Sequence, residues 1–352
     1  MYAGSRNWRA ADYGRSEARQ VEREFERKIG GEFGGKLEEK KVMKKTSTLR
    51  MIIPEWHGGL NPNYVLGAEL LACIAPADNM QETVRIPVDM SADQRPGAKG
   101  SEEGIKDQFS AAEENIGVDE AEALHRQMQA ADKLLREKNP DRVIVFGGDC
   151  SVTQVPFAYL NEKFQGELGV IWLDAHPDVS GTGDSSHLHE MVLGNLLGLN
   201  PGSQITQVKH PLKKSHVIMA GLIEERLRHM DRACRELNLR IASPESLKRN
   251  SEPVLAWIKE NGIRHVAVHW DLDVLSPVDF RSIYPAEPYT DAAAFPAAVG
   301  RMTLDQVGRL LRDVSAQAEL VGLSITEHLP WDAIRMRNTL AGISLFKYQW
   351  PV

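Results

Sequence analysis

The most constraining feature of this sequence is an alternation of short, β-branched apolar runs with longer amphipathic stretches, which begins after Leu49. Such alternation is typical of a parallel sheet whose strands are joined by crossover helices. Four of the runs are almost continuously apolar, as expected when helices cover both faces of the sheet. The predicted strands are residues 51–53, 83–88, 142–146, 169–173, 216–220, 240–242, 265–270 and 320–325.

Helices are predicted between these strands. The clearest covers residues 118–137, where Leu124, Met128, Ala131 and Leu134 repeat at helical spacing. Because no repeat or linker follows residue 50, we expect one α/β domain over residues 49–352 and a polar N-terminal extension over residues 1–48. The other predicted helices are residues 155–164, 190–197, 224–237, 245–261 and 304–316.

Composition excludes several other classes of protein. Apolar residues make up 42% and charged residues 26% of the 352 positions, which excludes a collagen, a coiled-coil rod or a wholly disordered chain. Residues 51–352 carry 29 Lys and Arg against 41 Asp and Glu, so we expect no nucleic-acid partner for the main body. Three scattered cysteines and the lack of an apolar run of roughly 18 residues favour a cytoplasmic protein with no membrane partner.

Residue types that bind metals follow three of the strongest predicted strands. Strand 142–146 leads into Gly-Gly-Asp-Cys-Ser, strand 169–173 into Asp-Ala-His-Pro-Asp, and strand 265–270 into Asp-Leu-Asp. Alternate side chains of an extended segment share a face, so each of the last two groups can converge on one point. Ligands of such sheets bind outside the carboxyl ends of the strands. The converging side chains are Asp174, His176 and Asp178, and Asp271 and Asp273.

These clustered carboxylates predict a metal site. Four carboxylates crowded together repel one another unless cations neutralise them. Carboxylates with imidazole suit Mn²⁺, Fe²⁺ or Co²⁺ better than they suit structural zinc. Two ions roughly 3.5 to 4 Å apart lower the pKa of a shared water and supply hydroxide near neutral pH. The clusters therefore favour a hydrolase.

The three motifs resemble those of the ureohydrolases, the family of arginases and agmatinases, whose patterns are GGDHS, DAHxD and SxDxDxxDP. The matching segments here are GGDCS at 147–151, DAHPD at 174–178 and HWDLDVLSP at 269–277. The resemblance implies a three-layer α/β/α fold with an eight-stranded parallel sheet, assembled as a homo-oligomer, a trimer or hexamer. It also implies manganese, bound by the residues at the ligand positions, which are Cys150, Asp174, His176, Asp178, Asp271 and Asp273.

The resemblance further implies catalytic roles. His189 matches a histidine that passes a proton to the leaving amine, and Asp178 stabilises the tetrahedral intermediate. Glu224 lies where arginases contact the substrate α-amino group. The glutamate that pairs with the guanidinium falls at Gln306, which favours a less basic substrate such as an N-hydroxyguanidine; a register shift of one residue would restore the charge through Asp305.

Cys150 is the main departure from the family pattern, because it stands where the family has a histidine ligand of the first metal. A thiol is softer than imidazole and a poor partner for Mn²⁺. We therefore expect the first site to be weaker, empty or selective for another metal, so that one or two ions bind. Ser276, in place of the aspartate of the DP turn, begins a second divergent segment.

The sequence therefore predicts a metal-dependent amidinohydrolase that acts on a guanidino or N-hydroxyguanidino group of a small amino-acid-like molecule and releases urea or a urea derivative. Two alternatives stay open. The first is a formimidoyl-type amidine hydrolase in which Arg281 or Arg301 contacts a substrate carboxylate. The second is a non-catalytic binding or regulatory protein with the same fold, since fold alone does not establish function.

Overall fold

The structure is a computed structural model that describes residues 46–76, 78, 80–90, 117–343 and 345. Most of the predicted N-terminal extension, residues 1–48, lies outside the described residues. The domain predicted to start at residue 49 begins with a strand whose first residue is Thr48. None of the helices in the described ranges is long and apolar enough to cross a membrane.

One sheet of eight parallel strands forms the centre of the described chain, and each strand overlaps a predicted one. The strands are β1 (Thr48–Ile53), β2 (Glu82–Arg85), β3 (Arg142–Gly147), β4 (Leu168–Leu173), β5 (Val217–Ala220), β6 (Arg240–Ala242), β7 (His265–Asp271) and β8 (Glu319–Thr326). Their order across the sheet is β2-β1-β3-β8-β7-β4-β5-β6. The predicted eight-stranded parallel sheet is therefore confirmed.

Helices cover both faces of this sheet, which gives the predicted three layers. The described ranges contain the helices α1 (Tyr64–Ile74), α2 (Ala121–Lys138), α3 (Gln154–Lys163), α4 (Val192–Leu196), α5 (Ala233–Leu237), α6 (Glu252–Glu260), α7 (Leu304–Gln317) and α8 (Trp331–Ala341). In β4, Val170 and Trp172 pack into the core shared with α2, α3 and α4. Ile171 and Leu173 pack into the opposite core, shared with α1, α6 and α7.

Three predicted helices are shorter in the structure. The segment predicted as a helix over 224–237 consists of two 3₁₀ turns followed by α5. Its helix is interrupted because the Asp231 carboxylate accepts a hydrogen bond from the backbone N–H of Arg228 at 2.8 Å, which closes a local turn. Residues 190–197 become a 3₁₀ turn followed by α4, and α6 covers only the second half of 245–261. Helices α1 and α8 are not predicted from the sequence.

Candidate metal centre and active site

The four central strands, β3, β8, β7 and β4, end at the same edge of the sheet, and the residues that follow them form the site. Asp271 is the last residue of β7, and Asp273 lies in the 3₁₀ turn after it. Asp174 directly follows β4, and Cys150 begins the 3₁₀ turn after β3. The parallel topology therefore brings the three sequence motifs together.

His176 connects two of the predicted carboxylate ligands. Its Nδ1 lies 2.9 Å from Oδ2 of Asp273 and 3.5 Å from Oδ1 of Asp174. Burial lowers the pKa of His176, but these two carboxylates outweigh burial and hold the pKa well above its usual range. Its Nε2 is buried and has no hydrogen-bond partner within the described ranges. One ligand atom from each of the three residues lies within 4.8 Å of the others, so the group could hold an ion.

Cys150 belongs to a second group, with Asp271 and Glu327. Its Sγ donates to Oδ2 of Asp271 at 2.8 Å and lies 3.6 Å from Oε1 of Glu327. Burial, together with the charges of these carboxylates, raises the pKa of the Cys150 thiol well above its usual range. The thiol is therefore protonated unless a cation is close, although the three ligand atoms again lie within 4.8 Å of one another.

A third group consists of Cys150, Asp174, Asp178 and His269, whose ligand atoms also lie within 4.8 Å of one another. Asp178 has a φ of +47°, a conformation that is rare for a residue other than glycine and that costs free energy. Its Oδ2 is buried and has no hydrogen-bond partner within the described part of the chain. Burial also lowers the pKa of His269 to about 3, which leaves that imidazole neutral.

Glu327 is a site residue that the sequence analysis misses. It follows β8 with a φ of +63°, its side chain is buried, and its Oε2 accepts a hydrogen bond from the hydroxyl of Tyr64 at 2.9 Å. Burial, together with the negative charge of Asp273, raises the pKa of Glu327 to about 7. The signal in the sequence is an acidic residue two positions after the predicted apolar strand 320–325, whereas Asp174 and Asp271 directly follow their predicted strands.

The other carboxylates at this edge are also harder to ionise than usual. Burial and the neighbouring Asp273 raise the pKa of Asp174 to about 6. Burial raises the pKa of Asp178 and Asp271 well above their usual range, with like charges as a further cause. Burial also acts on Asp273, but His176 outweighs it and lowers the pKa of that carboxyl. A cluster of this kind gains most from a divalent cation, because the cation favours every ionised carboxylate at once.

The residues at this edge therefore fit one or two divalent ions. The donors are mostly carboxylate oxygens, with imidazole and one thiol, a set that suits Mn²⁺ and other first-row divalent metals. His176, Asp178 and His269 each have a buried side-chain atom without a hydrogen-bond partner among the described residues, and that of His269 lies 3.9 Å from Oδ2 of Asp174. Such orphaned atoms are costly in a folded protein unless something binds them.

A cavity of about 340 Å³ opens above the metal-binding groups. Its floor includes Cys150, Asp178 and Glu327. Tyr284 and Phe295 line another wall and meet edge to face, with ring centroids 5.4 Å apart. This wall belongs to the divergent segment that follows Ser276, and it makes one side of the cavity aromatic.

His189 lines the same cavity, with His187 beside it at a ring-centroid distance of 5.7 Å. Nδ1 of His189 lies 2.6 Å from the carbonyl oxygen of Gly58. A carbonyl oxygen can only accept, so Nδ1 carries the proton and Nε2 is the nitrogen that can exchange one. The contact therefore fixes the tautomer of the neutral imidazole and leaves Nε2 open to exchange a proton.

The wall next to His189 carries an ion-pair network. Arg228 donates to Glu190 at 2.8 Å and makes two bonds to Asp231, at 3.0 and 3.2 Å. Burial raises the pKa of Glu190, but His189, Ser185 and Arg228 outweigh burial and hold it below the usual range. Arg228 is therefore the cation of this wall, and two carboxylates already neutralise it.

Three predicted substrate contacts do not line the cavity. The side chain of Gln306 accepts a hydrogen bond from the backbone N–H of Thr303 at 2.9 Å and so caps α7. Asp305 is exposed in the first turn of the same helix, and Glu224 is exposed in a 3₁₀ turn. The structure thus gives Gln306 a local role at a helix terminus.

Comparison with known proteins identifies the family. The family model described as "Arginase family" matches residues 83–347, most of the chain. The chain belongs to the arginase family.

The arginase of Bacillus caldovelox is 31% identical to this arginase-family chain over 175 residues, 45% of the chain and 54% of that protein. Mitochondrial arginase 1 of Arabidopsis thaliana is 24% identical over 238 residues, 65% of the chain and 58% of that protein. The matches thus span little more than half of these curated relatives.

Solved structures of the arginase family share its fold. The Entamoeba histolytica arginase, solved in complex with L-ornithine, has a TM-score of 0.62 at 15% identity, covering 85% of this chain and 100% of that one. The formimidoylglutamase of Bacillus subtilis has a TM-score of 0.55 at 14% identity, covering 88% and 91%. At these identities the likeness establishes the fold alone. The family model is what confirms the resemblance to the ureohydrolases noted in the sequence.

Proposed function

We propose that this chain is a metal-dependent amidinohydrolase. Its substrate is a small amino-acid-like molecule with a guanidino or N-hydroxyguanidino group, and the product is urea or a urea derivative such as hydroxyurea. The observation that carries the proposal is a cluster of five buried carboxylates, four of which line the cavity. Those carboxylates are Asp174, Asp178, Asp271, Asp273 and Glu327.

Manganese is the proposed cofactor, as one or two ions held by these carboxylates together with His176. When bound, such ions lower the pKa of a water molecule so that hydroxide is available near neutral pH. Cys150 makes another first-row metal an alternative, because its thiol is a softer donor than the rest of the set.

The acidic floor also suits a cationic or polar guanidine. Glu327 and Asp178 line the cavity as hydrogen-bond acceptors, and a carboxylate that accepts from a guanidinium makes a strong, charge-assisted bond. Asp178 lines the cavity together with Glu327, so both carboxyl groups belong to its acidic floor. These two side chains would orient the reacting carbon for attack.

His189 is the proposed proton donor. An amide anion is a very poor leaving group, so the tetrahedral intermediate breaks down only if the leaving nitrogen receives a proton. With Nδ1 held by Gly58, the imidazolium can donate from Nε2 and return to the neutral tautomer. The position of His189 in the cavity wall supports this assignment.

The formimidoyl alternative has less support. Arg301 pairs with Glu225 at 2.5 Å and with Glu245 at 3.5 Å, outside the cavity lining, and Arg281 is exposed. The fold shared with a formimidoylglutamase is compatible with that reaction, but the cation in the cavity wall is Arg228, which Glu190 and Asp231 already neutralise. A guanidine therefore matches the acidic cavity better than an acidic amidine does.

The test is a substrate panel assayed on protein whose metal content is known. Arginine, N-hydroxyarginine, agmatine, guanidinobutyrate and formimidoylglutamate would be incubated with Mn²⁺-equilibrated protein and assayed for urea and ammonia. Urea or hydroxyurea from a guanidine supports the proposal; ammonia from formimidoylglutamate alone supports the alternative. No turnover of any substrate by metal-loaded protein supports the non-catalytic hypothesis. Light scattering on the same sample tests the proposed trimer or hexamer.

A further inference from the structure

His269 is a fully buried histidine to which the sequence analysis gives no role. It lies on β7, two residues before Asp271, and has an exposed fraction of 0%. Its ring stacks on that of Trp172, with centroids 3.8 Å apart. Alternation along the strand directs residues 269 and 271 to the same face of the sheet.

The two ring nitrogens of His269 have different surroundings. Nδ1 lies 2.9 Å from the hydroxyl oxygen of Thr153, which lies 2.8 Å from the hydroxyl of Ser324. Nε2 is buried with no hydrogen-bond partner among the residues that the structure describes. It lies 3.9 Å from Oδ2 of Asp174, too far for a hydrogen bond. If Thr153 donates to Ser324 and accepts from Nδ1–H, Nε2 is left as a bare lone pair beside a carboxylate.

A cation can fit between a nitrogen lone pair and a carboxylate oxygen that are this far apart. Ligand nitrogen and oxygen atoms lie about 2.1 Å from such a metal, so two ligands of one ion can be up to about 4.2 Å apart. The distance from His269 to Asp174 lies within that limit. Cys150 and Asp178 each have a ligand atom within 4.8 Å of those of His269 and Asp174.

We propose that His269 is an imidazole ligand of a divalent ion that also binds Asp174 and Asp178. This inference rests on the proposed metal-dependent function and changes its ligand set. In the family patterns, histidine stands at the position of Cys150 and serine at the position of His269. The two departures are then related. Cys150 removes the imidazole that the family has after β3, and His269 on β7 supplies an imidazole at the same site.

Thr153 is a positioning residue in this arrangement. A metal-binding imidazole uses its other N–H to hold its orientation, and loss of that partner weakens metal binding about 10- to 100-fold. In the tautomer that carries a proton on Nδ1, the Thr153 hydroxyl is this partner of His269. A histidine that served only to pack against Trp172 would have no such effect on metal affinity.

The test is metal binding by full-length His269→Gln, measured by calorimetry with Mn²⁺ and by elemental analysis after dialysis. We expect the variant to lose one ion per chain, or to bind it at least about 100-fold more weakly. The matched control is His265→Gln, another histidine of β7, which stacks on Phe164 and should keep wild-type binding. Adding Cys150→His to His269→Gln should restore the lost ion, because it returns an imidazole to the same site.

A second measurement uses the wild-type chain and stays decisive if His269→Gln does not fold. X-ray absorption of Zn²⁺-loaded wild type should show two imidazoles per chain, from His176 and His269; one imidazole overturns the proposal. A folded His269→Gln that binds every ion within threefold of wild type also overturns it, as does a wild type that binds no divalent ion. Failure of the proposed function has a separate readout, which is a fully metal-loaded wild type that releases no urea.

Discussion

The Sγ atom of Cys150 lies 2.8 Å from Oδ2 of Asp271 and is the donor in that contact. A thiol that donates to a carboxylate keeps its proton, and burial among carboxylates raises its pKa further. Metal ligation requires the thiolate, so binding at this position must displace a proton from a group that holds it strongly. Cys150 is therefore a weak ligand for a hard ion.

The first prediction is that Cys150→His increases affinity for Mn²⁺. Imidazole binds as the neutral form and loses no proton at neutral pH, so we expect at least about tenfold tighter binding, measured by calorimetry. Cys234→Ser is the matched control, because Cys234 is also buried but packs in the core shared with α2, α3 and α4. Unchanged Mn²⁺ affinity and metal content in Cys150→His would contradict the view that the thiol limits the site.

The second prediction concerns His189. Removal of a positioned general acid costs about 10²- to 10⁴-fold in turnover, so His189→Ala should lose kcat to that extent. Its metal content should stay at the wild-type value, because the three groups of ligand atoms do not include His189. His187→Ala, which changes the neighbouring ring of the same cavity, should retain most activity. Equal loss of metal and turnover in His189→Ala would indicate a structural role instead.

The third prediction is a pH dependence of stability in the metal-free protein. Burial is the main cause that raises the pKa of Asp174 to about 6 and of Glu327 to about 7, whereas both titrate near pH 4 in an unfolded chain. Between about pH 4 and pH 7 the native state therefore binds more protons than the unfolded state. The stability that these groups contribute is full below pH 4 and is lost as the pH rises through 6 and 7.

Thermal unfolding in EDTA measures this effect. The Tm should fall between pH 5 and pH 7.5, and the fall should be smaller in Glu327→Gln, which has no charge to gain. Mn²⁺ should raise the Tm more at pH 7.5 than at pH 5, because bound ligands must be deprotonated. A fall of equal size in wild type and Glu327→Gln would refute the contribution assigned to that carboxyl.

The strands and the motif residues could be predicted from the sequence because both are local signals. Asp174 and Asp271 each come directly after a buried apolar run, and a parallel sheet necessarily brings such strand ends to one edge. The prediction of one helix over 224–237 was wrong because the Asp231 carboxylate accepts a hydrogen bond from the backbone of Arg228, and this contact interrupts the helix. The spacing of apolar residues along the sequence gives no information about a contact of that kind.

The roles of Glu327, His269 and Gln306 could not be predicted from the sequence. Glu327 follows β8 outside the three motifs, and His269 lies in the third motif at a position that is not a metal-ligand position of the family pattern. What each of these residues does depends on neighbours far away in the chain, such as Tyr64 and Thr153. Gln306 lies in a segment that resembles a family pattern, yet its side chain caps α7. A capping box and a substrate contact use the same residue types, so only the fold separates them.

The fourth prediction is that Arg228 stabilises the cavity wall. Its side chain is only 29% exposed, and Arg228→Met would leave Glu190 and Asp231, exposed by 13% and 2%, without their cation. Leaving such groups unpaired costs about 1–3 kcal/mol, which urea denaturation would show as a lower midpoint. Arg240→Met is the matched control, because the exposed pair of Arg240 with Glu260 is worth about 0–1 kcal/mol.

The double variant Arg228→Met/Glu190→Gln separates the ion pair from packing. If the loss arises from unpaired charge, neutralising Glu190 should recover part of the stability that Arg228→Met alone removes. If it arises from the packing of the arginine stem, the double variant should be no more stable than the single one. A midpoint for Arg228→Met equal to that of Arg240→Met would show that the network contributes no more than an exposed surface pair.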